Sequence, residues 1–268
     1  MKIGIIGCGY VGKAAAHYWK HQGHTISVTT RSTQRIQELE LVADTVFVLL
    51  NDNLSNFIDE QEALLISIAP DRNSDYSSTY LKTACQVSQA LQLNSTLKYL
   101  LYTSSSSVYG NCNGSWVDET AAIIPTNENI RILHETEQVL LNRHTPDVKT
   151  CIFRLGEIYG PDRCITNRLQ RMQGISVPGN GQQFANLISL EDIVRALDFA
   201  LSRQLHGIYN LCNDMHPTRE QLYQELCEKE GLQMPTWDSK LVSTHSGNKK
   251  VSNEKMKQEG FIFSTSVF

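Results

Sequence analysis

Three glycines at the start of the chain restrict what it can fold into. Residues 1–12 read Met-Lys-Ile-Gly-Ile-Ile-Gly-Cys-Gly-Tyr-Val-Gly, and Ala14, Ala15, Tyr18 and Trp19 follow at helical spacing. The apolar run Ile3 to Ile6 reads as a strand, so the order is strand, glycine turn, helix. That context gives a G-x-G-x-x-G spacing physical meaning. Gly7 permits the tight turn, Gly9 lets backbone approach a pyrophosphate, and Gly12 lets the helix pack close to the strand. Tyr10 and Val11 open the helix, where N–H groups and the helix dipole favour phosphates. The stretch predicts a dinucleotide site at Gly7, Gly9, Tyr10, Val11 and Gly12.

The end of the next strand speaks to which dinucleotide. His24 to Thr30 is β-branched and alternating, a strand signature, and Gly23 before it reads as a helix C′ residue. Folds that prefer NAD place an acid about 20 residues past the glycines, on the ribose 2′-hydroxyl. Here that place holds Arg31, with Thr29, Thr30 and Ser32 beside it and no acid before Glu38. A guanidinium among hydroxyls suits a 2′-phosphate. The expected cofactor is NADP, with NAD as the alternative.

Composition excludes several partners. The 268 residues are 41% hydrophobic and 19% charged, a globular balance, and the net charge of −4 offers no basic footprint for nucleic acid. No run nears the roughly 20 apolar residues of a membrane span. The N-terminus reads as a buried strand and lacks the basic start of a signal peptide. Cysteines 8, 85, 112, 151, 164, 212 and 227 are odd in number and form no C-x-x-C pair. A reduced, cytoplasmic protein is the simplest account.

Further apolar runs span 44–50, 63–69, 98–102 and 148–155, separated by helical patterns at 76–93 and 127–143. Strands that are apolar throughout are covered on both faces. Alternation of strands and helices predicts an α/β fold, a doubly wound parallel sheet of the Rossmann type. Ligands of such a sheet sit beyond the carboxyl ends of its strands. Gly7, Ala69 and Ser105 would gather there. Helices are expected at 163–174, 191–202 (Ser189 as N-cap) and 218–230, with a strand at 207–212 and a turn at 177–181. The expected domains are a dinucleotide-binding half, 1–160, and a smaller C-terminal substrate lobe, 161–268. Segments near 186–212 would return to the first half.

Three further stretches carry a resemblance. They are Thr103-Ser-Ser-Ser-Ser-Val-Tyr-Gly110, Arg154-Leu-Gly-Glu-Ile-Tyr-Gly-Pro161, and Asn186-Leu-Ile-Ser-Leu-Glu-Asp-Ile193 followed by Gly207-Ile-Tyr-Asn-Leu211. In this order they resemble the extended short-chain dehydrogenase/reductases, the NAD-dependent epimerase/dehydratase family. The likeness is strongest to an atypical branch, the bacterial YeeZ-type proteins, with G-x-G-x-x-G in place of T-G-x-x-G-x-x-G. The resemblance implies an oxidoreductase or epimerase/dehydratase acting on a small carbonyl, polyol or nucleotide-sugar-like substrate. It implies a homodimer as well. It places Ser105 on a substrate oxygen, Tyr109 beside the substrate, and Ala69, Pro70, Thr103 and Ser104 along the cofactor.

In that family a Tyr, followed four residues later by a Lys, moves the proton. A phenol titrates near 10, a nearby ammonium favours the phenolate, and helical spacing puts both on one face. None of the ten tyrosines here has Lys four residues later. The family's pattern around Glu137-Gln-Val-Leu140 puts Asn129 in the Tyr slot and Leu133 in the Lys slot. His134, Glu135, Glu157 and Tyr159 remain as candidates for proton transfer or pocket lining. No cluster has metal-ligand spacing and no G-x-S-x-G elbow occurs. A silent NADP(H)-sensing or partner-binding module is the competing expectation.

Overall fold

The strands that end in functional sequence lie side by side and point the same way. The computed structural model describes residues 1–49, 54–70, 75–93, 96–142, 148–241 and 247–264. The chain opens with β1 (Lys2–Ile6), α1 (Tyr10–His21), β2 (Thr25–Thr30), α2 (Ile36–Glu40), β3 (Thr45–Val48), α3 (Ser55–Asp59), β4 (Ala63–Ile66), α4 (Lys82–Leu93) and β5 (Tyr99–Ser105). It continues through β6 (Trp116–Val117), α5 (Glu128–Leu141), β7 (Lys149–Leu155), β8 (Glu157–Tyr159), α6 (Ile165–Met172), β9 (Ser176–Pro178), β10 (Leu187–Ser189) and α7 (Leu190–Arg203). It closes with β11 (Gly207–Leu211), α8 (Arg219–Glu230), β12 (Thr236–Asp238), β13 (Lys250–Val251) and α9 (Glu254–Gln258).

One sheet takes seven of the strands in the order β11-β7-β5-β4-β1-β2-β3. Pairs β1–β2, β2–β3, β1–β4 and β4–β5 are all parallel. Strand order reverses between β1 and β4, which makes the crevice beyond their carboxyl ends the topological switch point. Coverage on both faces is visible in burial: the register partners Ile5, Val28, Leu65 and Leu101 on one face, and Leu64, Ile66, Leu100 and Tyr102 on the other, are each at most 1% exposed. The sequence-level expectation of a doubly wound parallel sheet is met.

Two compact units divide the chain. The first comprises Met1–Ser105, Asn127–Arg154 and Ile193–Tyr209; the second comprises Ser106–Thr126, Leu155–Asp192 and Asn210–Phe268. The chain thus crosses between units more often than a division at residue 160 implies. In the first unit, Ile6, Phe57, Leu64, Leu100 and Ile152 share one apolar cluster. The second has its own smaller core around Leu169, Leu187, Leu222 and Leu226.

Local signals explain most boundaries. Gly23 has φ +83° just past α1 and donates its N–H to the Lys20 carbonyl, so the helix ends where the glycine stands. Ser189 caps α7 by accepting the Asp192 N–H at 3.0 Å. Thr218 and Gln221 form a capping box on α8, and Gly231 closes that helix at φ +64°. The expected helix from Tyr76 begins instead as one π-helical turn, Ser77–Leu81, before α4. Residues 177–181 are strand as well as turn, because β9 pairs with β12. Leu50 and Arg143, the expected ends of one strand and one helix, lie outside the described residues.

Candidate functional site

Beyond the end of β1, each glycine meets a distinct demand. Gly7 has φ +89°, and a Cβ there would come within 2.4 Å of the Ser67 carbonyl oxygen. A Cβ on Gly12 would lie 2.4 Å from the Gly7 carbonyl oxygen, so the first turn of α1 rests directly on the glycine turn. Gly9 differs: a Cβ there would meet nothing within 4 Å. Gly9 is exposed, is the N-cap of α1, and accepts the Lys13 N–H at 2.8 Å. Open space over backbone at a helix N-terminus is what a pyrophosphate needs. Tyr10 is half-buried and Val11 buried in the first turn of the helix.

The second strand delivers two arginines. Arg31 is exposed immediately after β2. Arg35, one short turn later, reaches back to the glycine loop, where Nη2 donates to the Cys8 carbonyl at 2.9 Å. It also bonds Glu38 through Nε at 3.2 Å, and Lys13 on α1 bonds the same carboxylate at 2.8 Å. These bonds, Lys13's first and Arg35's next, pull the Glu38 carboxyl down to about 2. The sequence reading missed Arg35. A basic residue one turn past the strand was the available signal. Cys8 is 1% exposed, and burial pushes its thiol up to about 11, so it is a small inert side chain in the turn.

The ends of β4 and β5 are stitched together. Thr103 is buried and its hydroxyl donates to Ser67 Oγ at 3.1 Å. Ala69 is exposed and Pro70 half-buried on the segment leaving β4. Ser105 is half-buried at the end of β5. Ser104 faces inward: its hydroxyl donates to Glu137 Oε1 at 2.6 Å, and Arg154 clasps the same carboxylate. That hydroxyl serves a buried ion pair, which fixes β5 against α5 and β7 and which residue spacing did not reveal.

In the second unit, Tyr109 is 6% exposed and its hydroxyl donates to Asn210 Oδ1 at 2.8 Å. Asn210 is itself held by Glu119 and by the Ser252 carbonyl. Tyr109 is therefore tied into a buried network. Glu157 receives Arg219 at 2.9 Å and, on its other oxygen, Arg168. Burial pushes its pKa up, but Arg219 and Arg168 outweigh burial and hold it below the usual carboxylate range. It stays ionised and makes a poor proton acceptor at neutral pH.

The family model for the NAD dependent epimerase/dehydratase family matches residues 3–212, from the first strand through the last of the sheet. This chain belongs to that family. It resembles protein YeeZ of Escherichia coli K12, at 28% identity over 257 residues, 90% of this chain and 88% of that one. A conserved protein of unknown function from Silicibacter pomeroyi DSS superposes with TM-score 0.81 at 26% identity, over 98% of this chain and 93% of its own. The UDP-glucuronic acid 4-epimerase from Bacillus cereus, solved with NAD, shares the fold at TM-score 0.81 and 18% identity, over 99% and 94%.

Within this member of the family, the two positions expected to take the Tyr and Lys slots lie on α5. Leu133, expected in the Lys slot, is 1% exposed. Asn129, expected in the Tyr slot, is exposed. His134 and Glu135, next on the helix, are half-buried, and Glu135 pairs with Arg131 at 2.6 Å. No group of three His, Cys, Asp or Glu among the described residues is placed to hold a metal ion. No helix is long and apolar enough to cross a membrane among those residues.

Proposed function

We propose that this chain is an NADP(H)-dependent oxidoreductase or epimerase/dehydratase acting on a small carbonyl, polyol or nucleotide-sugar-like substrate, and that it works without the Tyr-x-x-x-Lys pair. The observation that carries the reading is the open backbone at Gly9, flanked by Gly7 and Gly12 at positions where a side chain would collide. Gly9, Tyr10 and Val11 would hold the pyrophosphate. A bound nicotinamide would supply or accept the hydride, and the protein's part is to position it.

Arg31 and Arg35 support the phosphorylated cofactor. Both follow β2, and Arg35 is already anchored to the turn through the Cys8 carbonyl. Two guanidiniums favour a 2′-phosphate. Glu38 is occupied by Lys13 and Arg35, so it is withdrawn from the hydroxyl contact that an NAD-preferring acid makes. Ser105, at the end of β5, would orient a substrate oxygen.

A second reading has its own support. Leu133 is buried in the Lys slot and the Tyr109 proton is engaged by Asn210. A dinucleotide sensor or partner-binding protein that has lost chemistry fits both facts. Incubation with NADPH or NADP and a panel of carbonyls, polyols and nucleotide sugars separates the two. Turnover that falls in Ser105→Ala supports the enzyme. Dinucleotide binding without turnover across the panel supports the sensor.

A further inference from the structure

We propose that a cavity in the second unit, walled by Trp116, binds a small organic ammonium, an amine carried on an aromatic or aliphatic body. The cavity measures about 490 Å³, and its lining includes Trp116, Asp118, Asp214, His216, Glu254 and Lys257. Three stretches build it: β6 with the residue after it, the segment following β11, and the start of α9. All of them belong to the second unit, and the inference does not depend on the dinucleotide reading.

The frame of the cavity is fixed. β6 pairs with β13, and the Ser252 N–H donates to the Val117 carbonyl at 2.8 Å. Asn253 is 4% exposed, and its Nδ2 donates to the Cys212 carbonyl at 2.8 Å and to Asp214 Oδ1 at 2.9 Å. One amide thus ties the start of α9 to the segment after β11. Trp116 is nonetheless 57% exposed. An aromatic face left open on the wall of a preformed cavity is the apolar surface that small-molecule sites use. This ring already receives an ammonium, since Lys250 Nζ lies 5.1 Å from its centroid and 5.0 Å from that of Phe184. The ring quadrupole attracts such a cation.

The polar lining is rich in acceptors. His216 packs edge-on against Trp116, with centroids 4.8 Å apart and planes at 83°. Its neighbours fix its tautomer. Asn186 Nδ2 donates to the Lys249 carbonyl, and Asn186 Oδ1 accepts the Val251 N–H. That same oxygen faces His216 Nδ1 at 3.1 Å, so Nδ1 carries the proton and Nε2 is an acceptor in the neutral ring. Burial lowers the His216 pKa and favours that neutral form. Asp118 is bonded by the Thr120 N–H and hydroxyl and forms no salt bridge among the described residues. Lys257 is shared between Asp214 at 2.5 Å and Glu254 at 3.2 Å. Even with Lys250 counted, three carboxylates face two ammoniums. An organic ammonium brings the charge and the donors that this lining lacks, and its body covers the open ring.

Calorimetric titration of the whole protein at neutral pH and fixed low ionic strength tests it. Benzylamine, a cation at that pH, is compared with benzyl alcohol and benzoate, which keep the ring and change the charge. Benzylamine should bind most tightly and benzoate least. Trp116→Ala should weaken benzylamine roughly fivefold and Asp118→Asn roughly threefold. Lys257→Met, which removes the internal competitor, should tighten it. Melting temperatures show which variants are folded, and Asp118→Asn, an exposed change that breaks no ion pair, decides the matter if Trp116→Ala is not. Absence of benzylamine binding overturns the proposal. So does equal or tighter binding of the alcohol or of benzoate, and so does benzylamine binding that the folded variants leave unchanged.

Discussion

The Glu137 carboxylate and the Arg154 guanidinium meet at 2.7 Å, with side chains 0% and 2% exposed. Ser104 also donates to that carboxylate. Removing one partner leaves an uncompensated buried charge, which costs about 3 to 5 kcal/mol. Glu137→Gln or Arg154→Met should therefore lower the denaturation midpoint sharply. The double variant Glu137→Leu/Arg154→Met should recover much of the loss, because a well-packed apolar pair can replace a buried ion pair. Chemical denaturation of the three proteins measures it. A double variant as unstable as the sum of the singles contradicts this account of the pair.

Gly9 and Gly12 separate binding from folding. A Cβ on Gly12 meets the Gly7 carbonyl oxygen at 2.4 Å, so Gly12→Ala must displace α1 and lower stability. Gly9→Ala meets nothing within 4 Å and should leave the melting temperature nearly unchanged, while its methyl occupies the space proposed for the pyrophosphate. Thermal melts with and without NADPH distinguish the two effects. A Gly9→Ala protein that still responds fully to NADPH contradicts the proposed cradle.

Arg31 and Arg35 carry the cofactor preference. A hydrogen bond to a charged group is worth about 1.5 to 3 kcal/mol, so Arg31→Ala and Arg35→Ala should each weaken NADPH roughly tenfold or more. NADH should change little in Arg31→Ala. In Arg35→Ala it should weaken slightly, because the bond to the Cys8 carbonyl is lost as well. Fluorescence titrations with both nucleotides give the ratio.

Glu38 supplies a pH signature. Its folded-state pKa is depressed to about 2 from an ordinary 4.5, chiefly by the bonds from Lys13 and then Arg35. A depressed carboxylate stabilises the fold fully above its unfolded pKa and loses that contribution as pH falls through the folded value. The window is therefore pH 4.5 down to about 2. The side chain is 42% exposed, so solvent screens the effect and the gain is small. A carbon-detected NMR titration should place the Glu38 midpoint near 2, and Lys13→Met should raise it. An ordinary midpoint in the wild-type protein contradicts the Lys13–Glu38–Arg35 arrangement.

Thiol reactivity should follow environment. Cys8 is buried with its pKa pushed up to about 11, whereas Cys164 is exposed and a bond from Thr166 lowers its pKa. Iodoacetamide at mild alkaline pH should modify Cys164 well before Cys8. Peptide mapping reads the order, and early labelling of Cys8 contradicts its burial.

Much of the sheet was legible because β1, β4 and β5 carry apolar runs that lead into glycine or serine, while β2 shows β-branched alternation. The glycine turn was legible because each position answers a separate steric demand. Arg35 was not, since its value depends on a turn that folds it back to Cys8. Ser104 was expected along the cofactor beside Thr103; its bond to Glu137, 33 residues away, is a contact that no local spacing marks. The Arg168–Glu157–Arg219 cluster joins residues far apart in the chain, so no local spacing marks it. Short strands such as Trp116–Val117 and Lys250–Val251 were missed for the same reason: they exist only because they pair with each other.

Thermal stability with NAD, NADH, NADP and NADPH in turn tests the central claim most directly. A ligand that binds only the folded state stabilises it by about 2.7 kcal/mol at a hundredfold excess over Kd. A clear rise in melting temperature with NADP and NADPH, exceeding that with NAD and NADH, is the predicted result. No rise with any of the four would contradict the dinucleotide site at Gly7, Gly9 and Gly12.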